Sequence, residues 1–203
     1  MVVDAPLSRS FGARITRWSA ALCVALTFAM PAPALPQAPR IVQVEAAFLV
    51  NFLRYTEWPR ERFPDAATPF RIAVVGSSDT TEAVRAVAQA AGTVKGRRIE
   101  VERVPLPRGN GRVDLERLRG SHLVFLRDSD ARTRKEILRG LSGHPVLTVG
   151  DHRDFAQVGG MLGIVRVDTH LGIEANTRAI ESSGLQVSAK VLKLARIRRG
   201  DVE

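Results

Sequence analysis

The chain has 203 residues, 45% hydrophobic and 25% charged, with a formal net charge of +9 and a single cysteine. That cysteine, Cys23, has no partner for a disulfide and allows no cysteine-based metal site. The basic residues are interleaved with acids, as in Arg60-Glu61-Arg62 and Arg132 to Glu136, and aromatics make up only 5%, so the positive balance reads as solvated faces and excludes a nucleic-acid surface.

Residues 1–34 read as a cleavable signal peptide. Arg9, Arg14 and Arg17 form a positive leader, Trp18 to Met30 is an uncharged apolar run, and Ala32-Pro33-Ala34 is a small-residue cleavage site. The run is short for a membrane span, which needs about 20 apolar residues. An uncleaved anchor is the alternative; a lipoprotein is disfavoured because Leu22, not a small residue, precedes Cys23. Residues 35–41 form a Pro-rich lead-in, 42–198 a domain long enough to bury a full core, and 199–203 a tail. This predicts a secreted chain that starts near Leu35.

The first helix begins near Arg40. Val44, Ala47, Phe48, Phe52 and Tyr55 recur at spacings of three and four, widened by Leu49, Leu53 and Val50, and predict a largely buried helix; Pro59 ends it. Arg71 to Gly76 reads as a strand, Thr80 to Ala91 as a helix, Arg97 to Val104 as a strand and Leu115 to Leu118 as a helical turn. His122 to Leu126 is a third strand, Ala131 to Leu141 a helix and Pro145 to Val149 a fourth strand. Met161 to Val167 and Leu171 to Ala175 are joined by three residues, too few for a parallel crossover, which predicts an antiparallel hairpin. Two closing helices are expected, Thr177 to Ser183 and Ser188 to Ile197. The alternation specifies an α/β fold, a three-layer sandwich with a mainly parallel sheet, an antiparallel C-terminal hairpin and helices on both faces.

Chemistry has few footholds. Gly76-Ser77-Ser78 sits where doubly wound sheets bind anions, but it lacks G-x-G-x-x-G and a phosphate-loop lysine, and glycine and serine are ordinary turn and cap residues. Val149 to Asp154 sets Asp151 and Asp154 beside His152, yet neighbouring side chains diverge, so a strand-to-helix loop capped by Asp151 or Asp154 is the plainer reading. There is no G-x-S-x-G, and Ser188-Ala189-Lys190 does not match S-x-x-K. No cofactor, metal site or catalytic set is predicted. Gly159-Gly160 before Met161 implies a tight turn or a close backbone approach.

Taken in order, Ala46 to Phe52, Glu57-Trp58-Pro59, Arg71 to Gly76, Pro145 to Val149, Gly159-Gly160-Met161 and Val191 to Arg196 resemble the YfiR (HmsC-type) family of periplasmic regulators over about residues 42–198. The resemblance implies a repressor that binds the periplasmic sensor region of an inner-membrane diguanylate cyclase and so controls cyclic-di-GMP and biofilm formation. It also implies an outer-membrane OmpA-like lipoprotein that relieves repression, and a homodimer. The cysteines that make some members redox-sensitive are missing here, which excludes disulfide-based control.

Glu57, Trp58 and Arg196 are the candidate partner contacts. Trp58, at a helix exit, is either a core residue or an interface anchor, and Arg196 belongs to the basic stretch Lys193 to Arg199, suited to an acidic partner or an anionic membrane surface. The competing reading is a periplasmic small-molecule sensor or solute-binding module, with a pocket outside the strand carboxyl ends at Gly76, Ser77, Ser78 and Asp151. A periplasmic hydrolase using Asp151, His152 or Asp154 has the least support.

Overall fold

A computed structural model describes residues 40–106 and 111–198, all within the unit Pro36–Glu203. The expected signal peptide, most of the lead-in and the tail lie outside the described residues. In chain order the elements are α1 (Arg40–Arg54), β1 (Thr56–Glu57), a 3-10 turn (Arg60–Arg62), β2 (Phe70–Val75), α2 (Ser78–Ala91), β3 (Thr93–Val94), β4 (Arg97–Val104) and α3 (Leu115–Arg119). They continue with β5 (Leu123–Leu126), α4 (Ala131–Leu141), β6 (Leu147–Gly150), β7 (Leu162–Val167), β8 (His170–Asn176), α5 (Thr177–Ser182), β9 (Gln186–Val187), α6 (Ala189–Leu194) and β10 (Ala195–Arg198).

Eight strands form one sheet in the order β10-β8-β7-β6-β5-β2-β4-β3. Strands β4, β2, β5, β6 and β7 run parallel, β7 and β8 form the expected antiparallel hairpin, and β10 lies parallel to β8. Because strand side chains alternate between faces, Ile72, Val74, Leu123, Phe125, Leu147, Val149, Ile173 and Ala175 build one core with Leu49 and Phe52 of α1, Val84 of α2, Ile180 of α5 and Val191 of α6. Ala73, Val75, Val124 and Leu126 build the other with Leu118 of α3 and Ile137, Leu138 and Leu141 of α4. The result is a three-layer α/β sandwich. Ser77, Asp114, Asp130 and Asn176 start α2, α3, α4 and α5 by accepting hydrogen bonds from backbone N–H groups two or three residues into each helix, the usual remedy for their unpaired donors.

Three expectations change. On α1 the expected Leu49, Val50, Phe52 and Leu53 are buried together with Val42 and Ala46, but Val44 is 47% and Tyr55 36% exposed. The helix carries two overlapping apolar seams, and the one at 42, 46, 49 and 53 faces the sheet. The loop after β6 leads through turns to β7 with no helix, so Asp151 and Asp154 cap nothing of that kind. The closing helix stops at Leu194, and Ala195-Arg196-Ile197-Arg198 becomes a strand. Its alternation of apolar and basic residues is a strand pattern, and β8 offers it a sheet edge to pair with.

The glycine pair before Met161 meets its expected close approach. Phe155 is fully buried, with its ring lying on Gly150 and Gly160; a Cβ on either glycine would come within 2.3 Å and 2.2 Å of the ring, respectively. Gly159 adopts φ +100, the left-handed turn that glycine allows. Phe155 thereby seals the core beside the β6 and β7 junction. Gly160→Ala is expected to destabilise the protein by about 2 kcal/mol or more through overpacking, read as a lowered urea midpoint with an unchanged slope.

Candidate functional site

The parallel strands are wound outward from β2 in both directions, to β4 on one side and to β5 on the other, so their carboxyl ends part between β2 and β5. Open α/β sheets bind ligands at this switch point. Gly76 and Ser77 follow β2, Arg127 and Asp128 follow β5, and Asp151 and His152 follow β6, which brings the expected pocket residues Gly76, Ser77, Ser78 and Asp151 to one end of the sheet.

The crevice is closed by the chain itself. A Cβ on Gly76 would stand 2.7 Å from the Arg127 carbonyl oxygen and 3.5 Å from an Asp128 carboxylate oxygen. The Arg127 guanidinium pairs with Glu45 from α1 and lies 3.8 Å from both Asp128 and Asp151. Ser77 is occupied as the α2 cap, its Oγ accepting from the Thr80 N–H at 3.3 Å. Arg103 Nε also donates to the Gly76 carbonyl at 3.2 Å, so charges of both signs crowd this helix start. Asp151 Oδ1 and His152 Nδ1 are 3.1 Å apart but out of line for a hydrogen bond.

Glu45 is the group the sequence reading missed. It is 4% exposed, and burial, reinforced by Asp151 and Asp128 against the pull of Arg127, raises its pKa to about 7. Its sequence signal is the one acid in α1, set beside the apolar Ala46 and Ala47. Enclosed and paired with Arg127, it clamps α1 to the end of β5.

Glu57 and Trp58 lie at the opposite, amino end. Glu57 is exposed and pairs with Lys95, whose Nζ also donates to the Thr56 carbonyl at 2.7 Å. Trp58 belongs to the core: it is 8% exposed, its indole N–H donates to the His122 carbonyl at 3.1 Å, and its ring meets Phe70 edge-on at 5.3 Å. Such burial removes it as an exposed anchor, although its edge lines a shallow groove of about 470 Å³ with Glu57, Phe63, Lys95 and Arg97.

His122, 3% exposed, sits at the centre of this cluster. Its Nδ1 accepts the Arg71 N–H at 3.1 Å, leaving Nε2 to donate to the Arg62 carbonyl at 3.3 Å, and Phe63 stacks on it at 4.7 Å. Burial first, and the cations Arg62, Arg71 and Arg97 second, lower its pKa to about 4. Its role is to hold the core as a neutral ring.

Arg196 stands apart from both ends, on β10. It is exposed, between Leu194 at 78% and Ile197 at 48% exposure. The neighbouring Arg198 reaches back to the buried Glu174 of β8 with Nε and Nη2 at 3.0 and 2.6 Å. The structure therefore separates the sequence candidates into a filled crevice, an aromatic core end and an exposed sheet edge. Among the described residues no group of three or more His, Cys, Asp or Glu side chains is placed to hold a metal ion, and no helix is long and apolar enough to cross a membrane.

The family model described as YfiR/HmsC-like matches residues 42–196, well over half of the chain, from the first turn of α1 into β10. Proteins of this family are periplasmic regulators in cyclic-di-GMP signalling.

Glu45 and His122 give opposite pH signatures. The raised pKa of Glu45 makes its contribution to stability largest below about 4.5 and lost as the pH rises through about 7, so Glu45→Gln should remove that decline from the melting profile. The lowered pKa of His122 makes its contribution complete above about 6.5 and lost as the pH falls to about 4. In the Glu45→Gln protein the acid-side fall in melting temperature should then stand alone.

Proposed function

The chain belongs to the YfiR/HmsC-like family, and from that premise we propose that it is a periplasmic repressor, binding the periplasmic sensor region of a membrane-bound diguanylate cyclase and holding the enzyme inactive. The family match carries this reading, because it runs through every layer of the sandwich. The surface agrees with a regulator that works by contact. The crevice where a doubly wound enzyme would hold its substrate is filled by Arg127, Asp128, Asp151 and Glu45, while apolar and basic side chains stand exposed at Leu194, Arg196 and Ile197. Such a protein needs no turnover; it needs a face that its target buries. An OmpA-like outer-membrane lipoprotein that sequesters the repressor would release the cyclase, and a homodimer is compatible with the same role.

Export is part of the proposal. Deleting the gene should raise intracellular cyclic-di-GMP, and the full chain should restore it while a version lacking residues 1–34 should not. Unchanged cyclic-di-GMP on deletion would sink the repressor reading.

A further inference from the structure

Strand β10 pairs with β8 along one side, and among the described residues no strand pairs with its other side. An open edge presents unpaired N–H and C=O groups, which proteins ordinarily shield with proline, a bulge, shortness or charge. Among the described residues, shortness and two arginines shield this edge.

The register separates two kinds of side chain. Ala195 and Ile197 stand beside Ile173 and Ala175, both members of the core that lies under α1, α5 and α6. Arg196 and Arg198 stand beside Glu174 and Asn176 on the other face. Arg198 is neutralised by Glu174. Among the described residues, Arg196 and Lys193 have no carboxylate within 4.0 Å. On the helix-side face Ile197 is 48% exposed.

We propose that the open edge of β10 receives an extended segment of the repressor's protein partner, a strand in which apolar residues alternate with carboxylates. The period of two dictates this composition. A strand added beside β10 places alternate side chains next to Ile197, extending the core over it, and sets the intervening ones beside Arg196, whose charge no carboxylate among the described residues pairs with. Backbone hydrogen bonds supply the affinity and the alternating side chains the choice of partner. A second copy of this chain fits poorly, because two-fold pairing of β10 with itself brings arginines of both copies together.

The inference rests on the reading that the protein works by binding a partner, and the two can fail separately. In vitro, the full chain is mixed with a synthetic eight-residue peptide alternating valine and glutamate, with its valine-lysine counterpart, or with phosphatidylglycerol vesicles, and amide exchange is followed. The valine-glutamate peptide should slow exchange within Ala195–Arg198 by roughly tenfold at saturation, equivalent to about 1.4 kcal/mol. Arg196→Glu, an exposed substitution, should transfer the preference to the valine-lysine peptide.

No protection of β10, equal protection by both peptides, protection by vesicles alone, or protection that grows with protein concentration without peptide would each overturn the proposal, the last two in favour of a membrane or of a second copy. In cells, Arg196→Glu and Ile197→Glu proteins that keep the parent melting temperature should raise cyclic-di-GMP to the level of the deletion. A deletion that changes nothing removes the repressor reading and leaves the peptide experiment to decide the edge.

Discussion

The first helix has to be held against the middle of the sheet at both of its ends, and most of the described structure depends on that. At the carboxyl end of the strands the hold is the Glu45 and Arg127 pair, an ion pair taken largely out of water. Desolvation makes such a pair a weak source of net stability but a strict one of position, since separating the partners leaves a buried charge uncompensated. At the amino end the chain leaves the helix, forms the two-residue pair of β1 with β9, and buries Trp58 against Phe70 and His122. The Ser188 N–H donates to the Tyr55 carbonyl at 2.8 Å, fastening the start of α6 to the end of α1. The helix thus couples the parallel half of the sheet to the hairpin half.

Much of this was legible in the sequence because it is periodic. The apolar runs of β2, β5 and β6 and the amphipathic α2 and α4 are fixed by the local pattern, and the three-residue link after Val167 could only make a hairpin. Features that depend on two distant segments were not legible. Nothing in Thr56-Glu57 or Gln186-Val187 shows that they pair, and Trp58 became core only because Phe63, Phe70 and His122, from three other stretches of chain, meet there. The strand at Ala195–Arg198 was readable in principle. Its alternation was overruled by the helical composition of Ala189 to Leu194 immediately before it, and the sheet edge offered by β8 is a tertiary fact.

The candidate residues divide in the same way. Gly76, Ser77, Ser78 and Asp151 were chosen for their position in a doubly wound sheet, and they do reach the switch point; the occupants of that crevice, Glu45 and Arg127, come from outside the motif. The crevice thus keeps the position of a ligand site while an ion network occupies it, and fold alone does not assign it a function. On the edge strand, exposed apolar and basic side chains occur together at Arg196 and Ile197.

The burial of Trp58 also has an optical consequence. The chain has two tryptophans, and the other, Trp18, lies in the N-terminal segment. Trp58 is therefore the chromophore of the domain, seated with its ring centroid 6.0 Å from that of His122. A neutral imidazole at that distance leaves indole emission largely intact, whereas an imidazolium quenches it, so the emission of Trp58 carries a record of the charge on one buried side chain. The same emission, blue-shifted by its apolar surroundings, would move to the red when the amino end of the sheet opens to water, giving the domain an intrinsic reporter that needs no label.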